Sequence, residues 1–402
     1  MKKILFFIDS FPNYSETFLY NQIYFLLDRQ FYVELLALKN NPSYSENLHD
    51  KIIKYNLFKK CTFLNRKVGY QLLRNIIVQP YYSFKIIKLW GLKKGLFLIG
   101  NLNYFKYYSQ YDVIHAHYGH VGALVCDLKS IGLFQNTKVI CSFHGEDLSH
   151  KTLNTHKEKY KNIGRLADKV TVNSKYTKEC LINSVGESWS NVEIVPVPVD
   201  VNFFKPSKKE NTEKGFFNLI FCGRLIELKA PTLAIRIVHE LVVLGYPVKL
   251  KIIGIGPLYD LCEKLIVELG LGNEIKLLGM LSQEEILSEY EEADLFLLPG
   301  VHESNSHKTE AQGLVLQEAQ AMRLPVIISN AGGMKYGMLD GVTGLIAEEN
   351  NVDDFVEKII FLIDNPILRY SMKDAAKDYV AKYFDVSVIG NRMLDIYGFS
   401  SN

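Results

Sequence analysis

The sequence predicts two doubly wound α/β domains in series, each a parallel β-sheet with helices on both faces. Three observations carry this expectation. Short β-branched and aromatic runs alternate with helical stretches in both halves; the alternation restarts after a polar segment, KPSKKENTEKG, at 205–215; and 402 residues exceed one core at roughly 100 to 200 residues per domain. With 48% hydrophobic and 22% charged residues, the composition is globular, neither disordered nor fibrous.

The first strand is expected over Lys3–Ile8, followed by a loop at 9–15 and a helix from Glu16 to about Arg29. Strands VELLAL, VIHAH (113–117), KVICSF (138–143), KVTVN (169–173) and VEIVP (192–196) complete the first half. In the second half, strands NLIFCG (218–223), VKLKIIG (248–254), EIKLLG (274–279), DLFLLP (294–299) and PVIIS (325–329) alternate with helices at 231–244, 257–269, 283–292 and 314–323. The expected boundaries are a Rossmann-like domain over 1–198, a linker over 199–215, a second Rossmann-like domain over 216–383, and a C-terminal helix over 384–402 that packs back on the first domain.

The opening MKKILFFID reads as a strand rather than a signal peptide, because its apolar run stops at Asp9 with no small-residue cleavage site. No run of about 18 apolar residues suggests a spanning helix. Six cysteines without a CxxC pair read as reduced, mostly buried thiols rather than a zinc or disulfide framework.

The formal charge of +2 conceals an asymmetry: residues 1–198 carry 26 Lys/Arg against 15 Asp/Glu, and residues 199–402 carry 20 against 29. Twelve Lys/Arg and no Asp or Glu fall between Lys51 and Tyr111, among Tyr, Phe, Trp90 and large aliphatics. Cations beside aromatics suit an anionic membrane surface, reached from the cytoplasmic side of the inner membrane. Nucleic acid is not expected as a partner, since no binding motif accompanies the stretch. A solvated basic face without a partner is the alternative.

Ligands of such sheets sit at the carboxyl ends of strands, so two facing domains would offer a cleft and the motifs should follow strands. In TEAQGLVLQEA, Glu310 precedes a helix beginning near Leu314 and Glu318 lies about one turn inside it, so both carboxylates reach one helix mouth. The N–H groups of Leu314 and Val315 would favour a phosphate there, and the carboxylates would accept sugar hydroxyls. Taken alone, two such glutamates more often complement a helix dipole.

In CGRLIELKAP, Arg224 and Lys229 flank a strand-to-helix turn and can clamp a diphosphate, although a solvated turn explains them equally well. Gly254 and Gly256 in IIGIGPL permit close backbone approach to a base or ribose, but Tyr259 replaces the third glycine of a dinucleotide fingerprint, which disfavours a nicotinamide enzyme.

In the first domain, the helix start at Ser15, Glu16 and Thr17 is a candidate phosphate or acceptor loop. His144 follows a strand and is a candidate functional residue. His115, His117 and His120 look like a metal cluster, yet no carboxylate motif completes a zinc site, and no Asp-x-Asp occurs to grip a metal–diphosphate. No metal is expected.

These motifs resemble those of the family 4 retaining glycosyltransferases, which have the two-Rossmann GT-B architecture. FPNYSETF, HAHYG, SFHGED, VPVD at 197–200, GRLIELK, IGIGPL, ADLFLLP, EAQGLVLQEA, LPVI and GVTGLIA carry the resemblance over nearly the whole chain. FPNYSETF, HAHYG and SFHGED together look like the bacterial exopolysaccharide enzymes of the colanic-acid and amylovoran type.

The resemblance implies a hexosyl- or N-acetylhexosaminyl-transferase. Its donor would be a nucleotide sugar, UDP-linked, held mainly by the second domain with Gly313 at the helix mouth, and no further cofactor. Glu318 would hold the ribose hydroxyls, Glu310 the donor sugar, and Arg224 and Lys229 the diphosphate. His144 would sit by the reacting sugar and acceptor, which would be a lipid-linked saccharide or other glycan. Transfer would be front-face, with the leaving diphosphate helping to deprotonate the acceptor. A nucleotide-sugar epimerase or hydrolase of the same fold, or a non-catalytic sugar-nucleotide-binding subunit, are the competing readings. Ala311, Gln312 and Ala230 depart from the family pattern; Gln312 and the loop HESNSHKT (302–309) are expected to border the sugar site and to bear on donor choice.

Overall fold

Uninterrupted apolar runs become the centres of two all-parallel sheets. In the computed structural model, which describes residues 1–13, 16–41, 50–65, 69–148, 156–207 and 215–399, the first sheet has strand order β3-β2-β1-β4-β5-β6-β7. Its strands are β1 (Lys3–Phe11), β2 (Tyr32–Asn40), β3 (Cys61–Phe63), β4 (Val113–His117), β5 (Lys138–Phe143), β6 (Lys169–Val172) and β7 (Val192–Ile194).

The second sheet has order β10-β9-β8-β11-β12-β13, built from β8 (Phe217–Cys222), β9 (Val248–Ile253), β10 (Ile275–Gly279), β11 (Leu295–Leu298), β12 (Val326–Ser329) and β13 (Gly344–Ala347). β4, β11 and β12 are buried at every position, as strands covered on both faces must be. The order reverses beside β1 and beside β8, the switch points at which such sheets open a crevice at their carboxyl ends.

Two units result. One comprises Met1–Asn173, Lys178–Val195 and Gly390–Asn402; the other comprises Ser174–Thr177 and Pro196–Ile389. The helix Val386–Tyr397 thus enters the first unit at Gly390, where a Cβ would stand 2.5 Å from the Phe25 ring. Its Tyr397 hydroxyl lies 2.7 Å from His115 Nδ1, His115 Nε2 lies 2.6 Å from Ser142 Oγ, and Ser142 meets Thr171 at 2.5 Å. This line ties β4, β5 and β6 to the last helix, and satisfies each polar group where water is excluded.

The strands differ from expectation at several places. β1 runs to Phe11, because Ser10 and Phe11 pair with Lys39 and Asn40 of β2. β3 and β13 were not anticipated; with three and four residues at sheet edges, they are too short to carry a periodicity. All six cysteines are free, five of them buried and Cys61 partly so.

The basic segment between β3 and β4 folds into helices Gly69–Val78, Pro80–Gly100 and Leu102–Tyr108. The middle one breaks at Gly91, whose φ of 72° interrupts helical geometry. Tyr70, Leu73, Ile77, Val78, Tyr81, Phe84 and Leu92 are exposed on these helices together with Arg74, Lys88, Lys93 and Lys94. Among the described residues, no helix is long and apolar enough to cross a membrane.

Candidate active site

In the second unit, β8 ends at Cys222 and the chain turns through Gly223–Ala230 before the helix Pro231–Val243. That turn presents Arg224 and buries Lys229 at 8% exposure. Lys229 Nζ forms an ion pair with Glu310 Oε2, and Glu310 lies in the segment leading into the helix Leu314–Ala321. Gly313 caps this helix with φ 81°, and a Cβ there would come 3.4 Å from Glu310 Cγ. Leu314 and Val315 occupy the first turn, whose N–H groups have no partner within the helix itself.

Burial alone would raise the Glu310 carboxyl, but Lys229, Arg224 and the Gly313 N–H outweigh it and hold its pKa below the ordinary value. Glu318, four residues into the helix, is pushed up to about 7 by burial, with Lys229 only partly opposing. The sequence-derived residues Arg224, Lys229, Glu310, Gly313 and Glu318 therefore share one electrostatic neighbourhood.

Gly254 and Gly256 have a use that their spacing did not disclose. A Cβ on Gly254 would stand 1.9 Å from the Gly223 oxygen, and one on Gly256 2.5 Å from the Leu225 oxygen. Gly223 N–H donates to Ile253 O at 3.0 Å, and Leu225 N–H to Ile255 O at 2.9 Å. The turn after β9 is thus packed backbone to backbone on the turn that carries Arg224.

Gln312 does not border the site as a sugar-selecting side chain. It is buried at 3% exposure, its Oε1 accepts from Val197 N–H at 2.8 Å, and its Nε2 donates to Val197 O at 3.1 Å. The amide holds the VPVD segment in place. Ala230 adopts left-handed backbone (φ 51°, ψ 52°), a conformation that glycine enters without the penalty of a Cβ. Ala311 is backed by Gly333, whose Cβ would lie 1.8 Å from the Ala311 oxygen. The 302–309 loop is fastened by Ser304, whose N–H and Oγ both donate to Glu227 at 2.7 and 2.5 Å, and by His302, whose N–H donates to Glu349 at 2.6 Å.

In the first unit, His144 lies just beyond β5. Asp147 accepts from the N–H groups of His144, Gly145 and Gly119 at 3.2, 3.1 and 2.6 Å, which fixes the loop. The imidazole packs against Phe18 and Tyr118, with ring centroids 4.8 and 5.0 Å away, and His117 Nδ1 lies 3.1 Å from its Nε2. Burial depresses the His144 pKa to about 3, so the ring is neutral near pH 7.

Thr17 opens the helix Thr17–Asp28, and Ser15 lies outside the described residues. Glu16 is 5% exposed, accepts from the Tyr118 hydroxyl at 2.6 Å, and is raised to about 7 by burial, with Asp9 and Glu146 adding to the rise. Asp9 in turn meets His120 at 2.9 Å and Lys39 at 3.1 Å. Glu16 at this helix start, with Asp9 of β1 in its field, opposes the phosphate expected there and favours hydroxyl donors instead.

His115, His117 and His120 point to separate partners: His115 to Ser142 and Tyr397, His117 to His144, and His120 to Asp9. Among the described residues, no group of three or more His, Cys, Asp or Glu is assembled as a metal site requires. Sequence reasoning missed His117, Tyr118, Asp9 and Asp147 as neighbours of the candidate loop. The signal lay in the register, since His117 pairs with Ser142, two residues before His144.

The family model for glycosyl transferases group 1 matches residues 202–379, and that for glycosyltransferase family 4 matches residues 15–203. The chain is 30% identical over 290 residues to an uncharacterized glycosyltransferase of Methanocaldococcus jannaschii, covering 70% of this chain and 74% of that protein. It is 27% identical to the amylovoran biosynthesis glycosyltransferase AmsK of Erwinia amylovora, over 87% and 88% of the two chains. The crystal structure of Anabaena HepE in complex with UDP superposes with a TM-score of 0.77 over 99% of this chain and 100% of that one, at 16% identity. The paired parallel sheets, the strand-end motifs and these matches together identify the chain as a member of the family 4 glycosyltransferases of GT-B architecture.

Proposed function

We propose that this glycosyltransferase moves a hexosyl or N-acetylhexosaminyl group, with retention of configuration, from a UDP-linked donor to a lipid-linked saccharide or other glycan in cell-surface polysaccharide synthesis. The observation that carries the reading is the grouping of Arg224, Lys229, Glu310 and Glu318 between the end of β8 and the mouth of the helix Leu314–Ala321. Two cations can hold a diphosphate there and stabilise the charge that grows on it. Glu318 accepts the ribose hydroxyls and Glu310 those of the donor sugar. The UDP in the HepE structure and the amylovoran role in the name of AmsK support the donor class and the pathway type.

The acceptor oxygen attacks the anomeric carbon from the face the diphosphate leaves. As the new C–O bond forms, the bond to the phosphate oxygen breaks, and its electron pair stays with the phosphate. The acceptor proton passes to that phosphate oxygen. Arg224 and Lys229 stabilise the departing charge, so catalysis consists of positioning and electrostatics without a side-chain nucleophile. Neutral His144 contributes a hydrogen bond beside the reacting sugar, and Glu16 and Thr17 meet acceptor hydroxyls.

The exposed apolar and basic side chains of Gly69–Val78 and Pro80–Gly100 support seating on an anionic membrane, at the cytoplasmic face where lipid-linked acceptors are extended. A screen of UDP-, GDP- and ADP-sugars with a lipid-diphosphate saccharide acceptor tests the reading. UDP-sugar consumption that requires the acceptor is the expected result. Unchanged transfer in Glu318→Ala and Lys229→Ala would overturn the residue roles, and acceptor-independent turnover would favour a hydrolase or epimerase.

A further inference from the structure

Tyr118 holds a backbone conformation that a residue with a side chain rarely tolerates. With φ 73° and ψ 141° it stands outside even the left-handed helical region occupied by Asn56 (53°, 46°) and Ala230 (51°, 52°). Both sides of the residue are locked. Its N–H donates to Ser142 O at 2.8 Å, and its carbonyl accepts from the N–H groups of Val121 and Gly122 at 3.1 and 2.9 Å. The Gly119 N–H donates to Asp147 at 2.6 Å, and a Cβ on Gly119 would lie 2.4 Å from the Phe143 ring. Conformations of this cost persist where their surroundings over-determine them, and they cluster at ligand sites.

The locked turn sets the phenol among the residues of the candidate acceptor loop. The Tyr118 hydroxyl donates to Glu16 Oε1 at 2.6 Å, and its ring packs edge-on against His144 at 5.0 Å. Glu16 is buried whereas Tyr118 is partly exposed, so an incoming hydroxyl meets the phenol before the carboxylate. An ionised carboxylate can only accept, so the phenol proton points at Glu16. Burial and the Glu16 charge raise the Tyr118 pKa above its ordinary value, which keeps that proton on the phenol. The phenol oxygen then has lone pairs, and no second proton, to offer a ligand.

We propose that Tyr118 is a binding residue for the acceptor, taking a hydrogen bond from one of its hydroxyls, and that Glu16 is a positioning residue that aims the phenol and acts through it. The inference rests on the reading that Glu16 borders the acceptor, and refines it: Glu16 meets the hydroxyl by way of Tyr118. A carboxylate or phosphate oxygen, which can only accept, finds no donor in the phenol and meets the field of Glu16, Asp9 and Glu146. Burial raises Glu16 to about 7 against the phenol and the Asn13 side chain, with Asp9 and Glu146 adding to the rise, while Asp147 adds to the rise on Tyr118. His120 and Lys39 hold Asp9 at 2.9 and 3.1 Å. Below about 7 a protonated Glu16 can itself donate to the phenol, and the fixed direction of the phenol proton is lost.

The test is acceptor kcat/KM against pH at saturating UDP-sugar, with a lipid-diphosphate saccharide as acceptor. In the unsubstituted protein it is expected to rise with pH through about 7, as Glu16 ionises. Tyr118→Phe should abolish this rise and increase acceptor KM roughly three- to tenfold, as the loss of one hydrogen bond predicts, with donor KM unchanged. Glu16→Gln should also flatten the profile, yet add nothing once Tyr118→Phe is present. A Glu16→Gln effect of the same size with and without Tyr118→Phe would mean that Glu16 meets the acceptor directly, which overturns the inference and leaves the loop its role. Unchanged acceptor KM in both single variants would instead remove the acceptor role of the loop.

Discussion

Lys229 and Glu310 form an ion pair whose side chains are only 11% and 19% exposed, joining the turn after β8 to the approach of the helix Leu314–Ala321. Truncating one member of a buried pair costs about 3–5 kcal/mol, because the other charge is left without compensation. Lys229→Ala is therefore expected to lower the unfolding free energy and to raise the Glu310 pKa. Adding Glu310→Gln should restore part of the stability and none of the transfer activity. Denaturant unfolding of the single and double variants measures the coupling, and a donor-consumption assay run alongside separates stability from chemistry.

Glu318 gives a pH signature with two opposite signs. In the folded chain it releases its proton near 7, against 4.5 ordinarily, so the folded state binds more protons between those values. Its contribution to stability is accordingly present below about 4.5 and lost as pH rises through about 7. Ribose hydroxyls favour the ionised carboxylate, so donor KM should fall as pH rises across the same upper limit. Glu318→Gln should flatten this part of the KM profile in steady-state assays.

Ala230 holds a left-handed conformation that costs a residue with a Cβ about 1–2 kcal/mol. Glycine loses more conformational freedom on folding, which offsets part of the gain. Ala230→Gly should raise stability by about 0.5–1 kcal/mol in chemical denaturation.

Gln312 should matter to stability and not to donor choice. Gln312→Leu removes the partner of both the N–H and the carbonyl of Val197, at about 1–3 kcal/mol for each buried group left unsatisfied. A lower unfolding midpoint with an unchanged ratio of kcat/KM between competing UDP-sugars is the expected outcome.

The proposed membrane seating through the basic helices should be electrostatic in part. Charge reversal at Lys85, Lys88, Lys93 and Lys94 is expected to weaken binding to vesicles containing phosphatidylglycerol. Raising salt from 0.1 to 1 M, which shortens the screening length from about 10 to about 3 Å, should do the same for the unsubstituted protein. Vesicle sedimentation that is indifferent to both changes would remove this account.

The architecture was legible because buried parallel strands write themselves as short runs rich in β-branched and apolar residues; β4, β8, β9, β11 and β12 all lie where such runs occur. β3 and β13 were not, since three or four residues at an edge give no period to read. The grouping of Arg224, Lys229, Glu310 and Glu318 could be anticipated because strand-end position and charge are local properties. The partners of Gln312 and His115 could not, because Val197 is 115 residues from Gln312 and Tyr397 is 282 residues from His115. Composition also misdirected the reading of the N-terminal loop: Ser and Thr suggest a phosphate cap, whereas the fold brings Asp9 within the field of Glu16.

The contact of Gly254 and Gly256 with the backbone of Gly223–Leu225 bears on how this enzyme can be re-engineered. With less than the width of one methyl group between them, the turns after β8 and β9 form a single ledge, and neither can be redrawn alone. A chimera meant to import another enzyme's donor preference would have to transplant residues 223–230 and 254–256 as one piece. Grafting either turn by itself is expected to yield misfolded protein rather than a new specificity.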